Sequence, residues 1–344
     1  MSTSMVLITG ASGEMGHALI EALAKEGTPV LAADVRPLPH ALAEQCVAVL
    51  SGAEGDVTST AFAERAAQYP IRRIFHLAAV LSTAAEHDPV RAHRVNVDGT
   101  LAVLSLAQQR GEKARHSVQV IFPSTIAVYG FRSLEEKQRV PAVREDQSLQ
   151  PRTLYGIAKL HCERLGEYYT NHYMQLARPA RWVDFRALRF PGLISAETLP
   201  SGGTSDYAPE MLHAAAQGVP YRCFVRPSTR IPFMAMPDGI KALRMLADAP
   251  VEHLSQRVYN IGAFAPTAEE IATIVQSYFP DAVIEYDVDE RRQSIVDSWC
   301  ADVDDSAARR DWGWQPDYDF ERAFAEYLVP AVRRRYRQTT PVQQ

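Results

Sequence analysis

MVLITGASGEMG, residues 5–16, is the stretch on which the fold turns. Met5–Thr9 is a short apolar run of strand character. It leads directly into Gly10, Ala11, Ser12, Gly13, Glu14, Met15 and Gly16. Met15, Leu19, Ala22 and Leu23 then mark one face of a helix that stops at Gly27. The GxxGxxG spacing is one residue longer at its first gap than GxGxxG. Gly10 permits a tight turn, Gly13 lets the backbone approach a pyrophosphate, and Gly16 allows helix and strand to pack closely. Ser12, Glu14 and Met15 lie on the same turn, where a helix start offers unpaired N–H groups to phosphates. Three glycines also occur in ordinary turns; the strand before them and the helix behind them give this loop its meaning.

Outward from the loop, apolar runs at Val30–Ala33, Cys46–Leu50, Arg73–Leu77, Val118–Pro123 and Val183–Arg189 alternate with helical patterns. That alternation predicts βαβ units with right-handed crossovers: an α/β fold with a doubly wound parallel sheet of Rossmann type. After Pro191 the segments become loop-rich, at 200–204 and 226–232, and the helices shorten. The expected division is a dinucleotide-binding domain over residues 1–190 and a smaller, mainly substrate-binding lobe over 191–344. About 234–262, with a strand-like Val258–Ile261, returns to the first domain.

The second strand ends in Asp34, about 20 residues beyond the loop, where a carboxylate accepts hydrogen bonds from the adenosine ribose. A 2′-phosphate meets repulsion there, so the expected cofactor is NAD rather than NADP, with Arg36 a nearby counterweight. The plain alternative is a turn aspartate. Asp56 and Val57 offer an adenine contact, or simply start the next helix.

Composition bounds the rest. In a chain of 344 residues, 47% hydrophobic and 22% charged residues match an ordinary globular enzyme. A net charge of −5 gives no electrostatic case for nucleic acid or an anionic membrane. The basic cluster Arg333–Arg337 reads as a solvated helix face. Cys46, Cys162, Cys223 and Cys300 show no CxxC spacing, so neither a metal site nor a disulfide framework is expected. No run of eighteen apolar residues occurs, and the first strand begins too early to leave room for a signal peptide. The expected location is the cytoplasm.

Tyr155 and Lys159 stand at i and i+4, which puts a phenol and an ammonium on one helix face. A free phenol has a pKa of about 10 and is a poor base near neutrality. A neighbouring Lys159 cation and a positive nicotinamide ring both favour the phenolate, which predicts a depressed value. The fifth strand ends in Pro123, Ser124 and Thr125, placing hydroxyls at the sheet edge where ligands bind in this architecture. Strand-end capping is the plain reading for one of the two. His76, among apolar neighbours in a strand, reads as a satisfied core histidine.

Together these residues resemble the extended short-chain dehydrogenase/reductase superfamily. The pattern comprises Thr9 to Gly16, Leu77-Ala78-Ala79, Asn96, Pro123-Ser124-Thr125 and Tyr155-x-x-x-Lys159. The resemblance implies that Tyr155 is the base and that Lys159 also holds the nicotinamide ribose. It implies that Thr125, by register with Val128-Tyr129-Gly130, orients the substrate, with Ser124 beside it. Leu77, Ala78, Ala79 and Asn96 fall to the cofactor, as does Phe190 beside the nicotinamide.

The second half is similar to the threonine-oxidising branch of that superfamily. The segments are Leu188 to Gly192, Gly202 to Ala208, Met234 to Asp238, Asp297-Ser298-Trp299 and Asp311 to Trp314. The implied reaction is NAD-dependent oxidation of the L-threonine β-hydroxyl to 2-amino-3-oxobutanoate, by a homodimer joined through the helices carrying 96–106 and 155–168. The charged stretch Phe131 to Gln150 departs from that branch.

Thr204, beside a Gly202-Gly203 run suited to a carboxylate nest, and Trp299 become substrate contacts. Ser82, in the loop after the fourth strand, is a further polar contact for an amino acid. Arg189 and Arg230 are weaker candidates with structural ion pairing as the alternative, and Trp312 and Trp314 read as packing aromatics. Three rivals stay open. Nucleotide-sugar epimerases or dehydratases use the same tyrosine and lysine but usually carry asparagine where Pro191 stands. A dehydrogenase of another small hydroxy acid is nearer. A non-catalytic NAD sensor has no need of the intact Thr125, Tyr155 and Lys159 set.

Overall fold

The computed structural model describes residues 4–196, 198–200 and 203–337. Its strands are β1 (Met5–Thr9), β2 (Val30–Asp34), β3 (Ala48–Ser51), β4 (Ile71–His76), β5 (Val118–Thr125), β6 (Val183–Phe190), β7 (Gly192–Ile194), β8 (Tyr221–Cys223), β9 (Phe233–Ala235), β10 (Val258–Asn260) and β11 (Ile284–Tyr286). Seven of them form one sheet in the order β10-β6-β5-β4-β1-β2-β3. β1 pairs in parallel with both β2 and β4, so chain order reverses at β1 and opens the crevice where this fold class takes its ligands. Val30 to Asp34 are all buried, as expected of a strand covered by helices on both faces. Leu7, Leu31, Ile74, Val120, Phe122 and Phe185 interlock in the core beneath. The expected α/β doubly wound sheet is therefore present, with strand ends moved by at most two residues. β5, for instance, runs on to Thr125.

The glycine loop is dictated by close approach. Gly10 has φ +70, and a Cβ there would lie 2.6 Å from the Ala78 nitrogen. A Cβ on Gly16 would lie 2.4 Å from the Ala11 carbonyl oxygen, backbone that cannot yield as a side chain can. Gly16→Ala is therefore expected to cost about 1–3 kcal/mol by overpacking and to weaken dinucleotide binding with it. Thermal melts with and without NAD check both.

The chain divides into two compact units. The first comprises residues 1–125, 154–189 and 242–259; the second comprises 126–153, 190–241 and 260–344. In the first unit, Arg73 and Gln119 both donate to the Ala247 carbonyl at 2.8 Å, while Arg186 donates to Leu246 and Ala249. These bonds hold the returning segment. The helix Leu154–Asn171 lies tight on β6: a Cβ on Gly166 would sit 2.3 Å from the Phe185 ring.

In the second unit, β7 pairs with β9 and β8 with β11. The charged stretch after β5 joins this unit instead of the first, because Val143 bridges Val303 and Asn260 donates to the Val143 carbonyl. The Tyr129 hydroxyl adds a 2.6 Å bond to Asn260. Such long-range pairing leaves no local trace in the chain.

Candidate active site

The helix Glu14–Lys25 begins at Gly13 with no side-chain cap, so its first N–H groups remain available to an anion. A Cβ on Gly13 would meet only the Gly10 carbonyl oxygen, at 3.2 Å, leaving an open cradle for a pyrophosphate. Asp34 closes the other side. Its Oδ2 accepts the Ser12 N–H and its Oδ1 the Arg36 N–H, both at 2.9 Å. A carboxylate oxygen with one amide donor keeps a further lone pair for a ribose hydroxyl. The Arg36 guanidinium donates to the Ser12 carbonyl at 3.0 Å, so it braces the loop as well. These residues fit a dinucleotide.

Asp34→Asn removes a charged acceptor worth about 1.5–3 kcal/mol. The Michaelis constant for NAD is expected to rise roughly tenfold or more, while the bias against NADP narrows. Initial rates with the two cofactors check it.

The remaining cofactor assignments divide. The Leu77 N–H donates to Thr9 at 3.0 Å and Ala78 backs onto Gly10, so this loop, with Ala79, borders the cradle. Asp56 accepts both the N–H and the hydroxyl of Thr58 through Oδ1, the helix-start role, which leaves Oδ2 as the edge for adenine. Val57 is buried, and its side chain is what a Cβ on Gly99 would strike. Its side chain packs there.

The Asn96 Oδ1 accepts the Val80 N–H at 2.7 Å and its Nδ2 donates to the Val80 carbonyl at 2.9 Å, so its side chain clamps the loop after β4. His76 bonds Thr9 and Thr100 through its two ring nitrogens. Burial, aided by the Lys159 charge, takes its pKa down to about 3, which keeps it a neutral core residue.

At the opposite side of the switch point stand the phenol and the ammonium. Tyr155 is the second residue of the helix Leu154–Asn171, whose first N–H donates to the Glu86 carboxylate at 2.8 Å. Glu86 belongs to the short helix that Ser82 begins, so Ser82 is brought to the same edge. Lys159 is buried; its Nζ donates to the Pro123 carbonyl at 2.6 Å, lies 4.3 Å from the Phe122 ring centre and 5.6 Å from that of Tyr155. Burial lowers its pKa to about 8, opposed by Cys162 and Glu163.

The expected depression of the Tyr155 phenol is not present in the polypeptide alone. Burial pushes that phenol above its ordinary value.

The two hydroxyls ending β5 point to different fates. Ser124 is buried and donates to Glu163 Oε1, while Glu163 receives Arg189 Nε at 2.9 Å and Nη2 at 2.7 Å. The bond to Glu163 gives Ser124 a structural partner inside the fold. Thr125, the next residue in the alternation, is half-buried at the strand end. Arg189 proves to be an internal ion-pair partner. Glu163 was missed in the sequence, although its place four residues after Lys159 was the available signal.

Within the second unit, Phe190, Thr204 and Trp299 are all buried. Gly202 lies outside the described residues, whereas the Gly203 N–H donates to Asp206 at 2.6 Å. Arg230 pairs with Glu270 at 3.2 Å and also bonds the Ala265 carbonyl, so it is structural. Trp312 and Trp314 pack at a tilt, with ring centres 5.8 Å apart. Among the described residues no helix is long and apolar enough to cross a membrane.

A glycine cradle with an acidic ribose partner, and a YxxxK pair at the next strand ends, define a nicotinamide-dependent enzyme of the short-chain dehydrogenase type. The chain belongs to the NAD dependent epimerase/dehydratase family, whose model matches residues 6–262. It is 38% identical over 320 residues to the mitochondrial L-threonine 3-dehydrogenase of Bos taurus, covering 91% of this chain and 79% of that one. Among solved structures it is similar to L-threonine dehydrogenase from Clostridium difficile, with TM-score 0.83 and 33% identity over 97% of this chain and 99% of that one. A monomeric L-threonine 3-dehydrogenase from a metagenome matches with TM-score 0.83 and 32% identity, over 96% of this chain and 99% of that one.

Proposed function

We propose that the chain oxidises the β-hydroxyl of L-threonine, yielding 2-amino-3-oxobutanoate, NADH and a proton. The observation that carries the chemistry is the buried Lys159 ammonium lying between the Pro123 carbonyl and the Tyr155 ring, at the strand ends beside the glycine cradle. The choice of threonine is supported by the names of the bovine and clostridial relatives.

In this reading the Thr125 hydroxyl hydrogen-bonds the substrate oxygen and holds it beside Tyr155. NAD supplies the hydride acceptor and the positive charge that offsets the burial of the phenol. Tyr155, as phenolate, takes the hydroxyl proton; Lys159 stabilises that anion and binds ribose. Ser82, Thr204 and Trp299 grip the amino acid, and Phe190 borders the nicotinamide.

A substrate panel tests this. NADH formation is expected with L-threonine and not with D-threonine or nucleotide sugars. Turnover of a nucleotide sugar without net NADH contradicts the reading and favours an epimerase, a chemistry the family also includes.

The homodimer is part of the same proposal. Leu101 and Ile157, 40% and 50% exposed on the helices Gly99–Ala114 and Leu154–Asn171, support it. The metagenomic relative is monomeric, so light scattering of the chain and of Ile157→Glu decides between a dimer that dissociates and a monomer throughout. We assign the chain to the cytoplasm, a reading supported by cysteines scattered without CxxC spacing.

A further inference from the structure

Lys137 is a buried ammonium whose position the reaction described above does not explain. It sits in the short helix Leu134–Gln138, within the charged stretch that departs from the threonine-oxidising pattern. Its Nζ donates to the Val296 carbonyl at 3.3 Å. That same carbonyl accepts the Trp299 N–H at 3.2 Å, and two residues along, Ser298 accepts the Phe131 N–H at 2.9 Å. The stretch 131–137 therefore grips the last turn of the helix Glu290–Ser298 at two carbonyls. A helix C-terminus leaves such carbonyls without intrahelical partners and favours a cation.

The other end of that helix reaches the second half of the proposed substrate grip. Arg292 donates to the Gly203 carbonyl at 2.8 Å, next to Thr204, and lays its guanidinium 3.1 Å from the Phe224 ring centre. One helix thus ties Thr204 to Trp299, and Lys137 pins the end at which Trp299 stands.

Stability alone does not account for an ammonium here. A methionine fills comparable space without desolvating a charge, whereas the ammonium is held by one carbonyl bond and the attraction of nearby Asp297. Burial lowers the Lys137 pKa to about 8, with Cys300 and Asp297 raising it and Arg226 lowering it, so the group stays charged at neutral pH.

We propose that Lys137 is a positioning residue for substrate: it sets the place of Trp299 by holding the last turn of the helix Glu290–Ser298. The proposal rests on Trp299 and Thr204 being substrate contacts, as inferred above.

Steady-state kinetics of Lys137→Met and Lys137→Arg test it. Lys137→Met is expected to raise the Michaelis constant for L-threonine about tenfold, with kcat and the constant for NAD within about twofold of the parent. Lys137→Arg, which keeps the cation, restores most of the loss. Should Lys137→Met fold poorly, Lys137→Gln keeps an N–H donor without the charge and is expected to raise the threonine constant about threefold. An unchanged threonine constant in the folded variants overturns the proposal, as does a parallel loss in kcat and NAD binding. The parent chain is assayed first: no turnover of threonine removes the proposed function and this role together, whereas an active parent with indifferent variants removes the role alone.

Discussion

Tyr155→Phe is expected to lower kcat with L-threonine by about 10²- to 10⁴-fold, the usual contribution of a positioned acid–base group, while NAD binds as before. The phenol is the group whose proton must leave before the substrate hydroxyl can be deprotonated, and burial holds that proton on. Activity should therefore rise with pH as the phenolate forms. Lys159, brought down to about 8, begins to lose its charge at the upper end and should bend the profile over. Lys159→Arg carries a guanidinium that does not titrate in this range, so the downward limb should vanish even if the plateau is lower. Titration of NAD binding by intrinsic fluorescence separates loss of chemistry from loss of cofactor. A Tyr155→Phe chain with near-parental kcat removes the tyrosine from its role.

The second large effect is on stability. Glu163 and Arg189 have side chains 0% and 2% exposed and share two hydrogen bonds. Removing one charge leaves its partner buried and uncompensated, so Glu163→Gln is expected to cost about 3–5 kcal/mol in denaturant unfolding. Glu163→Gln combined with Arg189→Met removes both charges and should recover most of that loss. If Glu163→Gln costs under about 1 kcal/mol, the pair is not the internal brace described here. Because Glu163 also accepts the Ser124 hydroxyl, the brace fixes the strand end on which Thr125 stands.

What was legible in the chain follows from period and contact range. Met5–Thr9 and Gly10 to Gly16 declare strand, turn and helix within twelve consecutive residues, so the sheet and its cofactor loop could be read directly. Tyr155 and Lys159 fall on one helix face by spacing alone. The resemblance singled out Thr125 over Ser124, but strand alternation alone says that one of the two faces inward without saying which or what it meets. The deciding partner, Glu163, lies 39 residues on. The clamp of Asn96 on Val80 forms across a loop and a helix, and its partner cannot be read from spacing. The reach of residues 126–153 into the second unit depends on the bridge from Val143 to Val303, between distant segments of the chain. The direction of the Tyr155 shift depends on burial, which spacing does not report.

Hydride origin tests the central claim most directly. L-threonine carrying deuterium at Cβ is incubated with NAD and the purified chain, and the reduced cofactor is examined by mass spectrometry. One deuterium in the NADH, together with a slowed rate, is the predicted result. Unlabelled NADH, or none at all, contradicts oxidation at the β-carbon.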